Sequence, residues 1–281
     1  MSLVTLKEVI DRAYAEKYAV PAFNFWTEED AKAIVRGAEE MNSPVILMAS
    51  GSCVKGMGLE VVAFTVQYLA KNSKVSVVLH LDHADSLDLI FRAMKCGFTG
   101  IMYDGSMLPV EQNIENTILV LKVARALGIS VESEIGRVGR GEEGQTITEI
   151  LTEPEGAAMF FDKTGVDALA VAVGTCHGMQ KQEAGIHYDI VEGLTKAVNA
   201  PLVLHGSSGV KDEDLTRLSR TAFSKINIGT RLKAVSVEGM RAALAADPAL
   251  KDSAKVLKKA SEMVTKTVID KIAFLGSKNK A

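Results

Sequence analysis

The chain has 281 residues, 47% hydrophobic and 24% charged, the proportions of a globular protein able to bury a sizeable core. Lys and Arg number 32 against 35 Asp and Glu, so a formal net charge of −3 offers no basic surplus for nucleic acid or an anionic membrane. No apolar run approaches the roughly 20 residues of a membrane-spanning helix. Residues 1–7 lack the charged-then-apolar order of a secretory signal. The three cysteines (Cys53, Cys96 and Cys176) contain no CxxC pair, which suits a reducing cytoplasm and excludes a disulfide scaffold.

Short apolar runs occupy residues 19–25, 44–50, 75–82, 99–104, 130–136, 168–174, 201–206 and 225–230. Each is rich in Val, Ile, Leu or Ala, as in parallel strands covered on both faces. Longer amphipathic stretches separate them. Residues 28–41 align Ala31, Ile34, Val35 and Ala38 behind Thr27 as a candidate N-cap. Residues 87–96 end before Gly97, and 111–127 carry Ile114, Ile118, Leu121 and Ala124 before Gly128 as a candidate C-cap. A further helix is expected over 212–222. The last, over 252–275, repeats Val256, Ala260, Val264, Val268 and Ile272 at four-residue steps. Eight strand–helix units without a linker predict an α/β chain folded as a single (β/α)8 TIM barrel over residues 1–281, with a C-terminal helical extension. That extension can either cover the barrel floor or offer an interface. The alternative of an open dinucleotide-binding sheet lacks a GxGxxG turn after the first strand.

Barrel enzymes place their chemistry where the strands end. The strand ends here are Asn24, Ser50, Asp82 with His83, Asp104, Glu134, residues 174–178, 205–208 and 227–230. Three of the five histidines (His83, His177 and His205) fall among them. Three imidazoles leave a coordination position open for substrate and suit catalytic Zn2+, whereas a lone histidine is more often a cap or core residue. His80 shares the face of Asp82 by strand alternation and is expected behind the ligands, and His187 lies in a loop. The turns containing Gly206, Ser207, Ser208, Asn227, Gly229 and Thr230 are small and rich in donors, and they sit at the usual phosphate position of a barrel. Residues 136–144, with four glycines and the pair Glu142-Glu143, read as a mobile loop.

The stretches PAFNF, LHLDHAD, IMYDGS, VESEIGRVG, AVAVGTCHG, PLVLHGSSGV and KINIGT run from the first strand to the last. Together they resemble the class II, metal-dependent ketose-bisphosphate aldolases. The resemblance implies His83, His177 and His205 as zinc ligands, with Asp104 and Glu134 as an alternative metal position. It implies Asp82 as the acid/base at the substrate's C4 oxygen and Glu142 as the carboxylate that exchanges the C3 proton. Gly178, Gly206, Ser207, Ser208, Asn227, Gly229 and Thr230 then hold the dihydroxyacetone phosphate half, with a monovalent cation (Na+ or K+) near the phosphate, and the strand-end residues Asn24 and Ser50 are expected among the substrate-binding groups. The implied reaction is cleavage of fructose or tagatose 1,6-bisphosphate to dihydroxyacetone phosphate and glyceraldehyde 3-phosphate by a cytoplasmic homodimer or homotetramer.

Arg140, Gln180, Gly229 and Arg231 depart from the family pattern and leave the aldehyde half open, for example as in a 6-phospho-5-dehydro-2-deoxygluconate aldolase. Arg231 is expected in a salt bridge to a neighbouring helix. A non-catalytic aldolase partner subunit and a barrel metallohydrolase are the competing functions. A lysine Schiff base is the other aldolase strategy, but Lys74 and Lys225 stand at strand beginnings, on the rim away from the site.

Overall fold

The computed structural model describes residues 2–142, 145–179 and 181–281, with side chains except at 142–147. Helix Leu6–Glu16 (α1) precedes strand Val20–Asn24 (β1). Helix Glu28–Glu40 (α2), strand Val45–Ser50 (β2) and helices Gly51–Met57 (α3) and Leu59–Asn72 (α4) follow. Next come Val77–Ala84 (β3), Leu87–Lys95 (α5), Gly100–Tyr103 (β4), Val110–Ala126 (α6) and Ser130–Ile135 (β5). Two short strands, Gly139–Glu142 (β6) and Gln145–Ile147 (β7), lead to Pro154–Thr164 (α7), Ala168–Val171 (β8) and Cys176–His177 (β9). The chain closes with Tyr188–Ala197 (α8), Leu202–Leu204 (β10), Asp212–Leu218 (α9), Phe223–Ile228 (β11), Thr230–Ala246 (α10) and Ser253–Phe274 (α11).

Eight parallel strands form a closed barrel in the order β1-β2-β3-β4-β5-β8-β10-β11, with β11 returning to β1. All eight fall on the apolar runs of the sequence. Alternation sorts their side chains. Phe23, Leu47, Leu79, Ile101, Leu169, Leu204 and Ile226 pack outward in the core shared with the helices. Val20, Ala22, Ile46, Met48, Val78, Met102, Ala168, Ala170 and Val203 form a second, inner core with Leu6, Val9, Ile10 and Ala13 of α1. The floor of the barrel is therefore stoppered by α1. Thr5 fixes the start of that helix through a reciprocal capping box with Glu8.

The long C-terminal helix does not cover the floor. α11 lies outside the barrel against α2 and α10, and Gly37 admits it closely, since a Cβ there would stand 2.7 Å from Val268 Cγ1. Two further differences have local causes. The helix expected over 212–222 stops at Leu218, where the hydroxyls of Ser219 and Thr221 donate to the carbonyls of Thr216 and Leu218 and divert the backbone into a turn. The glycine-rich segment after β5 is not wholly loop: β6 pairs antiparallel with β7 and parallel with β9. No helix among the described residues is long and apolar enough to cross a membrane.

Candidate active site

Asp82 and His83 are consecutive, and regular alternation would send their side chains to opposite faces. The register between β3 and β4 shifts between Leu81 and Ala84, and His83 adopts φ 50°. This left-handed residue in a bulge breaks the alternation and turns both side chains into the mouth. His83 Nδ1 lies 2.6 Å from Asp104 Oδ2, and its Nε2 lies 2.8 Å from His205 Nδ1. His205 arrives from the end of β10 and His177 from β9. The ring centroids stand 4.9 Å apart for His83 and His177, 4.5 Å for His83 and His205, and 5.7 Å for His177 and His205.

Among the described residues, two groups of side chains can hold a metal ion: His83, His177 and His205, and His83, Asp104 and Glu134. In each group the donor atoms all lie within 4.8 Å of one another. The chemistry of the first group fits Zn2+, with three imidazole nitrogens and an open side facing the cleft. Nε2 of His177 is buried and has no hydrogen-bond partner, as expected of a donor reserved for a ligand. Burial, reinforced by the charge of His83, pushes His177 and His205 well below the usual histidine range and leaves their lone pairs available. Burial also pulls on His83, but the charge of Asp82 and the hydrogen bond to Asp104 outweigh it and raise that ring to about 9. Burial, with Asp104 close by, lifts Glu134 to about 7.

Asp82 is held from both sides. Asn24 Nδ2 donates to Oδ2 at 2.8 Å, and Asn227 Nδ2 donates to Oδ1 at 3.4 Å. Burial opposes ionisation of Asp82, yet the charges of His83, His205 and Lys225 and the bond from Asn24 keep its carboxyl below the ordinary range. Gly229 leaves room for Asn24, because a Cβ there would come within 2.6 Å of Asn24 Oδ1.

Around this centre lies a cleft of about 440 Å³. Among its walls are Asn24, Ser50, Asp82, His83, His177, Gly178, Gly206, Ser207, Ser208, Asn227, Gly229 and Thr230, all picked out from the sequence. His205, Asp104 and Glu134 sit just beneath or beside it. Gly206 has φ 67°, and a Cβ there would meet the backbone carbonyl carbon of Cys176 at 2.8 Å, so no other residue suits the turn. Ser207 donates to the Asn227 carbonyl and ties the two turns together. Ser208 Oγ accepts from the Arg231 amide in the first turn of α10, and Thr230, which opens that 17-residue helix, lines the cleft. Ser50 Oγ caps α3 by accepting from the Cys53 amide.

Cys176, within the strand end 174–178, also lines the cleft, as do Trp26, Ser52, Arg140 and Lys233, which were not anticipated as such. Arg231 pairs with Glu238 at 3.4 Å on its own helix α10, not on a neighbouring one, because seven residues make two turns. The Glu142 side chain and Gln180 lie outside the described residues; the backbone of Glu142 ends β6.

Lys225 requires a correction. It stands third in β11 with its side chain wholly buried in the lumen, and its long stem carries Nζ up to 2.8 Å from both Glu132 Oε2 and Asn227 Oδ1. Glu132 Oε1 in turn lies 2.9 Å from His205 Nε2, and His80 Nε2 lies 3.4 Å from Glu132 Oε2. Glu132, Lys225 and His80 are all completely buried. Period-two alternation back from Glu134 and Asn227 contained the signal for the first two.

Comparison with known proteins agrees along the whole chain. The family model described as fructose-bisphosphate aldolase class-II matches residues 4–280. A sulfofructosephosphate aldolase of Alkalicoccus urumqiensis is 36% identical over 284 residues, spanning 100% of this chain and 99% of the relative. A probable fructose-bisphosphate aldolase of Bacillus subtilis (strain 168) is 37% identical, with 100% of both chains covered. Among solved structures, the YdjI aldolase of Escherichia coli K12 superposes with a TM-score of 0.88 at 30% identity, covering 99% of each chain. Matched from end to end by this family model and by relatives of 36–37% identity, the chain belongs to the class II fructose-bisphosphate aldolase family and is an aldolase, a lyase.

Proposed function

We propose that the protein cleaves a ketose 1,6-bisphosphate reversibly into dihydroxyacetone phosphate and glyceraldehyde 3-phosphate, using Zn2+ held by His83, His177 and His205. The observation that carries this reading is the convergence of the three rings beside Asp82, with their donor atoms within 4.8 Å. A divalent ion held by these three residues would supply Lewis acidity as negative charge builds during C3–C4 cleavage. Asp82, kept deprotonated and pinned by Asn24 and Asn227, takes the C4 hydroxyl proton as the bond breaks and returns it in the condensation direction. Glu142 delivers a proton to C3 of the remaining half. The N–H groups and hydroxyls of residues 206–208 and 227–230, with Gly178, hold the phosphate dianion and orient the sugar. Asp104 and Glu134, with His83, offer the metal a second position.

A second reading keeps this chemistry and changes the aldehyde. Arg140 and Lys233 both line the cleft, and a relative at 36% identity is named for a sulfonated ketose phosphate. Side-by-side assays of fructose and tagatose 1,6-bisphosphate, a sulfofructose phosphate and a 6-phospho-2-deoxy keto acid decide between them. The first reading expects release of dihydroxyacetone phosphate from one of the two bisphosphates. Turnover of a sulfonated or deoxy acid substrate alone replaces it with the second. Absence of any C3 hydrogen exchange in dihydroxyacetone phosphate removes both.

A further inference from the structure

The middle of a barrel lumen is ordinarily filled by interlocking branched aliphatic side chains. Here one layer instead holds Glu132, Lys225 and His80, each with no exposed surface. A buried ion pair is a poor source of stability: apolar residues of the same volume typically serve as well or better. Its location indicates another use. Glu132 presents Oε1 to Nε2 of His205 at 2.9 Å, and Nδ1 of the same ring faces His83. A carboxylate accepting from Nε2–H fixes the tautomer whose Nδ1 lone pair is free. The other oxygen of Glu132 lies 2.8 Å from Lys225 Nζ, which also donates to Asn227 Oδ1 at 2.8 Å. With its carbonyl oxygen so occupied, the Asn227 amide is oriented with Nδ2 toward Asp82 Oδ1.

We propose that Glu132 and Lys225 are positioning residues that act as a pair. Glu132 presents Nδ1 of His205 to the metal, and Lys225 holds Glu132 while steering Asp82 through Asn227. The two halves of the catalytic centre are thus set by a single buried ion pair linking β5 to β11, strands that do not touch in the barrel. This inference rests on the proposed roles of the three histidines and Asp82.

The test compares Glu132→Gln, Lys225→Met and the double variant Glu132→Gln/Lys225→Met with the parent protein. Each is purified with metal, then stripped. Zn2+ affinity is measured by competition with a chromophoric chelator, the Co2+-loaded absorption spectrum is recorded, and thermal unfolding and kcat and KM are determined. Glu132→Gln should weaken Zn2+ binding by about 10- to 100-fold and move the Co2+ bands. Lys225→Met should lower kcat by about 10- to 100-fold through misplacement of Asp82, with KM little changed. The double variant leaves no charge unpaired, so its melting temperature should recover toward the parent's. Its Zn2+ affinity and Co2+ spectrum should nevertheless remain altered. A purely structural pair predicts recovery of both together, and parental Zn2+ affinity and kcat in the double variant would overturn the inference while leaving the aldolase reading intact. A parent protein that binds no Zn2+ at the three histidines would defeat the site reading itself, and this inference with it.

Discussion

Both oxygens of the Asp82 carboxylate accept from amides, and the carboxyl is held below its ordinary range against the pull of burial. The proton-acceptor role proposed for Asp82 is therefore separable from its shape. Asp82→Asn keeps the volume and removes the base, so kcat should fall by about 10²- to 10⁴-fold while metal content, read by atomic absorption, stays at the parent level. Loss of metal in that variant would mean that Asp82 acts as a ligand instead. A second expectation concerns thiols. Burial, with Asp30 near, pushes the Cys53 thiol up to about 12, whereas Cys176 lies on the cleft wall. A disulfide reagent at pH 8 should leave Cys53 unmodified in the folded protein, and mass mapping of the labelled peptides checks this. At this scale the sequence was informative wherever a polar residue ends an apolar strand, which is why His83, His177 and His205 stood out. Glu132 was passed over and Lys225 assigned to the far rim: alternation put both in the lumen, but their partnership spans it between non-adjacent strands, a relation with no local signature.

Among the elements, α1 and the bulge in β3 do most to shape the centre. The helix places Leu6, Ile10 and Ala13, all fully buried, against the inner ends of the strands. Ile10→Ala should cost about 2–5 kcal/mol in chemical denaturation, since the barrel walls cannot collapse to fill the hole. A change below about 1 kcal/mol would argue that the floor is loosely sealed. The turn after β10 is equally constrained. Gly206→Ala asks a left-handed residue to place a methyl 2.8 Å from the Cys176 carbonyl carbon, so it should destabilise by about 1–3 kcal/mol and displace both His205 and His177, seen as weakened Zn2+ binding. The three-stranded sheet of β6, β7 and β9 was not legible in advance. Its glycines read locally as loop, and the parallel pairing of Gly139 with Cys176 and Arg140 with His177 joins segments far apart in the chain.

At the level of the whole molecule, the eight strands were readable because a sheet buried on both faces yields uniform apolar runs, and the lack of a linker forced them into one closed sheet. Less visible was which helix would close which end: α1 is short, whereas α11 has the longer repeat and yet packs outside on α2 and α10. The barrel supplies its own scaffold, so metal is expected to add stability without being required for folding. Dialysis against a strong chelator should abolish turnover but leave the far-ultraviolet circular dichroism unchanged. Adding Zn2+ back at a hundred times its Kd should restore activity and about 2.7 kcal/mol of stability. Unfolding of the stripped protein would instead assign the ion a structural role.

With α1 wedged into one end, the barrel is a cup, not a tunnel. On the proposed reaction, ion, sugar and both fragments would share one doorway, because the stopper at the base closes the other end.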